Sequence, residues 1–141
     1  MSEALDFFLT EERVCDVLNN PDEGIDYAFM LEKSDWDVLL AAWDSRSNSW
    51  KSCVTYLAGF RHLSANKAIV MKAIEDQEED IFEEGLLALY QAIAAEIDET
   101  GTVAVNLSSD EKAVAIVQLH NASEAFKTYP EYEELVVLLR D

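Results

Sequence analysis

Apolar positions recur along this chain at spacings of three and four residues, and that period predicts helix over most of its length. Leu5, Phe8, Leu9, Val14, Val17 and Leu18 mark a helical segment over Ser2–Asn19, either one helix or two short ones with Thr10 as an internal cap. Asn19-Asn20-Pro21-Asp22 breaks the period. Gly24–Lys33 reads as a short helix with Ile25, Phe29 and Met30 on one side. Ser34 is then the expected N-cap of a helix over Asp35–Asp44 that carries Trp36, Leu39, Leu40 and Trp43. A polar connector, Ser45–Ser49, leads to a helix over Trp50–His62, and Ser64 opens another to about Asp76. Glu78-Glu79-Asp80 precedes a long helix to about Ile97, with its carboxylates at the positive end of the helix dipole. Thr100-Gly101-Thr102 ends it, and Val103–Leu107 reads as a packed loop, because one short β-branched run cannot make a sheet alone. Ser108-x-x-Glu111 has the form of a capping box for a helix to about Ser123. Pro130 starts a last helix to Arg140 that buries Leu135, Val136, Leu138 and Leu139.

Sliding the chain along itself lays Asp35–Arg61 over Lys67–Ile93 as helix, polar turn, helix. Val38 then falls on Val70, Ala41 on Ala73, Asp44 on Asp76 and Trp50 on Phe82. A diverged third unit matches Lys67-Ala68-Ile69 with Lys112-Ala113-Val114, and the segment from Phe82 with the segment from Tyr132. A hairpin cannot bury its apolar face alone, whereas stacked hairpins share one core. The expected fold is therefore all-α: one domain over residues 1–141, with N-terminal helices over 1–33 and antiparallel helical hairpins over 34–141, about seven to eight helices in all. Over Asp35–Asp141 the pattern resembles a short HEAT-like α-solenoid.

Composition narrows the function. The chain has 141 residues, 29 of them acidic against 10 basic, for a formal net charge of -19. Half the residues are apolar, so acidity does not imply disorder. Nucleic acid and anionic membrane surfaces are not expected partners, because their phosphates would be repelled. The N-terminal Met1–Asp6 lacks a basic leader, and the longest uncharged helical run, Gly85–Ala95, is too short to span a bilayer. Cys15 and Cys53 stand apart in sequence among apolar neighbours, which predicts buried, inert thiols in the reducing cytoplasm.

No catalytic or metal signature appears, so neither an enzyme nor a cofactor protein is expected. An EF-hand loop from Asp76 would need Gly and Glu where Ile81 and Leu87 stand. A di-iron site would need Glu three residues before a His, but Gly59 precedes His62 and Val117 precedes His120. The salient feature is acidic. No basic residue occurs between Lys72 and Lys112, and Glu75, Asp76, Glu78, Glu79, Asp80, Glu83 and Glu84 crowd one interhelix turn. Such a run is a docking face for a basic protein or a solvated turn that aids solubility. Trp36, Trp43 and Trp50 are core anchors, or else one of them, Trp43 beside Asp44, is an interface hot spot.

The stretch Trp43–Leu57, followed by a HEAT-like hairpin, resembles acidic helical immunity proteins of bacterial polymorphic toxin systems. That resemblance implies stoichiometric masking of a basic toxin or nuclease. The partner-binding residues expected are Trp43, Asp44, Asp76, Glu78, Glu79, Asp80, Glu83 and Glu84. The alternative is a helical-repeat scaffold whose concave face holds a peptide or a protein helix, with no charge masking.

Overall fold

The computed structural model describes residues 2–61, 63–101 and 105–140, and these contain nine α-helices and no strand. They are α1 (Glu3–Leu9), α2 (Glu11–Val14), α3 (Pro21–Met30), α4 (Lys33–Ala42), α5 (Asn48–Ala58), α6 (Leu63–Ile74), α7 (Glu79–Thr100), α8 (Ser109–Asn121) and α9 (Pro130–Arg140). His62 and residues 102–104 of the expected loop lie outside the described residues. The count exceeds seven to eight because Thr10 separates two helices. Its backbone is extended (φ -97, ψ 104), and its N–H closes the end of α1 on Asp6 and Phe7.

Caps legible in sequence set the start of α8 and the end of α7. The Ser108 hydroxyl accepts the N–H of Glu111 at 3.1 Å, and the Glu111 carboxylate accepts the N–H of Ser108 at 2.8 Å. That hydrogen bond, with Lys67 at 3.2 Å, holds the Glu111 carboxyl below its ordinary value. The stabilisation it contributes is present above the ordinary carboxyl pKa and lost as pH falls through the lowered one. Ser108→Ala is expected to cost about 1 kcal/mol, read as a lower urea midpoint at unchanged slope. Gly101, at φ 70, ends α7 in the left-handed conformation and donates its N–H to Ile97 at 2.7 Å.

Two expectations need correction. Ser34 is not an N-cap: Glu32 caps α4 through a reciprocal box in which Asp35 accepts the Glu32 N–H at 3.0 Å. In α3, Phe29 and Met30 are about 60% exposed, while Gly24 and Ala28 are buried. The small residues face inward because α3 closes tightly on α5, where a Cβ on Gly24 would lie 2.9 Å from Leu57. Arg61 covers the Phe29 ring at 5.3 Å and donates to the carbonyls of Ala28 and Phe29 at the end of α3.

One cluster of buried residues runs from Ala4 to Leu139. α7 lies at its centre and packs on α5, α6, α8 and α9. α1–α3 pack against α4 and α5, joined by Trp50, whose indole N–H donates to the Phe8 carbonyl at 2.7 Å. Helix pairing also shows where the internal similarity holds. Trp50 and Phe82 are both buried, as are Leu57 and Leu89. Val38 and Ala41 are exposed where Val70 and Ala73 are buried. α6 is enclosed by α4, α5, α7 and α8, whereas the main α-helical neighbours of α4 are α1 and α6. On the described helices 36, 39, 43, 50, 69, 70, 73, 74, 135 and 139 are core positions, and Val136 and Leu138 are half-buried against them.

Candidate functional site

The turn that leads out of α4 and the turn between α6 and α7 lie side by side, and a surface groove of about 410 Å³ opens between them. Its charged walls are Asp44, Lys51, Lys72, Glu75, Asp76 and Glu78. Lys51 reaches across from α5 to Asp76, 3.9 Å away, and both side chains are largely covered. Its ammonium also lies 5.7 Å from the centre of the Trp43 ring, a stabilising cation–π distance. Lys72 pairs with Asp44 at 3.6 Å. Each ammonium in the groove already faces a carboxylate. Glu75, Glu78, Glu79 and Asp80 are exposed around it.

The expected site residues divide accordingly. Asp44, Glu78, Glu79 and Asp80 are on the surface, and the Asp44 side chain is 87% exposed. Asp76 is half-buried: it holds Lys51 and accepts the Glu78 N–H at 2.9 Å, which shapes the turn before α7. Trp43 does not reach solvent. It is 1% exposed and meets Trp50 edge-on with ring centres 6.0 Å apart. A large ring at the end of α4 finds more contact beneath the turn than above it, so Trp43 is the floor of the groove. Glu83 is also engaged internally, accepting the Ser123 N–H at 2.8 Å where the chain leaves α8.

Glu84 belongs to a different place. It lines a cavity of about 690 Å³ with Val17, Cys53, Tyr56, Leu87 and Tyr90. Burial raises its carboxyl above the ordinary value. A carboxyl with a raised folded-state pKa binds its proton more tightly in the folded chain. Stability therefore falls as pH rises through the ordinary carboxyl range, and the loss is complete above the raised value. Glu84→Gln is expected to raise Tm near neutral pH, with the gain vanishing below roughly pH 4. Calorimetry of both proteins across that range checks it.

Comparison with protein-family models, curated proteins and solved structures finds no match for the chain. No helix among the described residues is long and apolar enough to cross a membrane. Among the same residues no cluster of His, Cys, Asp and Glu is arranged to hold a metal ion.

Lys51 escapes a reading of sequence, because nothing in its spacing points to Asp76. A second apolar cavity, about 530 Å³, continues the first along α7 and shares Tyr90 with it, and Ala94, Ile97, Val137 and Leu138 line it. Such surfaces form between helices distant in sequence, so no local motif announces them.

Proposed function

We propose that this chain is an acidic protein-binding module of the immunity type, a stoichiometric inhibitor that masks a basic toxin or nuclease in the bacterial cytoplasm and catalyses nothing. The groove between the two turns carries this reading. Exposed carboxylates at Asp44, Glu75, Glu78, Glu79 and Asp80 surround it, on a chain of net charge -19. Its two lysines are already neutralised. A basic surface docking there would set Lys and Arg side chains against carboxylates in place of nucleic-acid phosphates. Complementary charge of this kind raises the association rate and selects the partner. We further read the helix packing as a short HEAT-like solenoid. α4 rests on α6 and α6 on α8, while α5 rests on α7 and α7 on α9, as stacked hairpins require.

The test is a triple charge reversal, Glu75→Lys with Glu78→Lys and Glu79→Lys. All three residues are exposed, so the fold should survive, which circular dichroism verifies. Against the product of the neighbouring gene, the variant should bind on the order of 100-fold more weakly than wild type at low salt. Equal affinity would exclude the groove as the docking face.

One observation favours a second reading. Two cavities lie along α7, one against α5 and one against α9, meeting at Tyr90, and Val137 is 60% exposed at the second. A scaffold that holds a peptide or protein helix would use these cavities. Its affinity would change little with salt, whereas the masking mode weakens steeply.

A further inference from the structure

Cys15 and Cys53 are far apart in sequence, and the fold brings them together. Cys15 ends α2 and begins the 3-10 turn Cys15–Leu18, and Cys53 lies in the middle of α5. The Cys15 thiol donates to the Ser49 carbonyl at 3.4 Å. Ser49 stands one helical turn before Cys53, so Cys15 rests against the face of α5 that carries Cys53. The two thiols are also near enough to influence each other's protonation. Both cysteines are partly exposed, so Cys15 can be approached by a small disulfide from the surface, and Cys53 lines the 690 Å³ cavity. The expectation of two buried thiols standing apart is therefore corrected: both are partly exposed, and Cys15 rests against the helix that carries Cys53.

We propose that Cys15 and Cys53 are a reversible dithiol–disulfide site, oxidised by a low-molecular-weight disulfide such as glutathione disulfide. In the first step the Cys15 thiolate attacks one sulfur of glutathione disulfide. The glutathione S–S bond breaks, one glutathione thiolate leaves and takes up a proton, and the other half stays bonded to Cys15. In the second step the Cys53 thiolate attacks the Cys15 sulfur, forms the intramolecular disulfide and expels the second glutathione. Two protein thiols are oxidised and one glutathione disulfide is reduced to two thiols.

The surroundings set the order of the steps. Burial pushes both thiols up, and their mutual influence pulls Cys15 back down while pushing Cys53 higher. With the Glu11 and Glu84 carboxylates nearby, Cys53 is pushed up to about 12. Cys15 is therefore the first nucleophile and Cys53 the resolving thiol. Thiolate is scarce on both near neutral pH, so exchange is slow and closure answers a sustained accumulation of oxidised glutathione. The closed bond would fasten the N-terminal helices to α5.

Intact mass and thiol titration of the whole chain after incubation with excess glutathione disulfide test this directly. The expected product has lost two hydrogens in mass, titrates no free thiol where two were present, and melts on the order of 10 °C higher. Reduction restores the starting material. Cys53→Ser should instead stop at one glutathione bonded to Cys15. Two persistent free thiols, two glutathione adducts on one chain, or a disulfide-linked dimer would each overturn the proposal. The wild-type measurement stands whether or not the variant folds.

Discussion

Trp50→Ala should destabilise this protein more than almost any other single substitution, by about 5 kcal/mol. That is roughly a third to the whole of a domain's net stability. Trp50 is fully buried and touches Trp43 edge-on. The Arg46 guanidinium lies 5.1 Å from its ring centre and donates to the Leu9 carbonyl at 2.8 Å. Truncation leaves a large void and also strands the Phe8 carbonyl, which accepts the indole N–H in a buried place. Because Phe8 is in α1 and Trp50 in α5, the loss loosens the N-terminal helices as a unit. A contrast with Trp36 isolates the hydrogen bond. The Trp36 indole N–H is buried without a partner among the described residues. Trp36→Phe removes that unpaired donor and should fall within about 1 kcal/mol of wild type. Trp50→Phe should cost about 2 kcal/mol or more, since it orphans a carbonyl. Urea titrations that rank these two in the opposite order would refute the assignment.

The second large effect has a sign that local rules get wrong. Alanine replacing glycine inside an exposed helix normally gains up to about 1 kcal/mol. Gly85 is inside α7, but a Cβ there would lie 2.8 Å from the Ile74 backbone nitrogen and 2.9 Å from its side chain, with Ala73 at 3.1 Å. A backbone atom cannot swing aside as a side-chain tip can. Gly85→Ala must push α6 away from α7 at the centre of the core. The expected loss is about 2–3 kcal/mol, seen in chemical denaturation. A more stable Gly85→Ala protein would mean that the two helices are not in contact here.

How far the sequence could be read follows from the range of the forces involved. Helix positions depend on local period and local caps, so Thr10, Ser108 with Glu111, and Pro130 could be recognised as boundaries, whereas Pro21, read as part of a break, is the first residue of α3. Ser34 misled because Asp35 can complete a cap that begins at Glu32. Which side of a helix faces inward depends on what lies opposite. The period of Ile25, Phe29 and Met30 could not reveal that Leu57 leaves room only for Gly24 and Ala28. The acidic run reads in sequence as one patch. The fold assigns Asp76 to Lys51, Glu83 to the Ser123 backbone and Glu84 to an apolar cavity, and leaves Asp44, Glu78, Glu79 and Asp80 outside. The Lys51–Asp76 pair and the meeting of Cys15 with Cys53 are products of helix packing, which spacing along the chain does not encode.

The most direct test of charge masking is the salt dependence of binding between this chain and the product of the neighbouring gene. Titration calorimetry over a range of sodium chloride concentrations supplies it, with wild type and the Glu75, Glu78 and Glu79 reversal measured in parallel. Masking predicts that wild-type affinity falls steeply as salt rises, while the reversed variant is weak at every concentration and nearly flat. Wild-type affinity that does not change with salt, or a reversed variant that follows the wild-type curve, would contradict it.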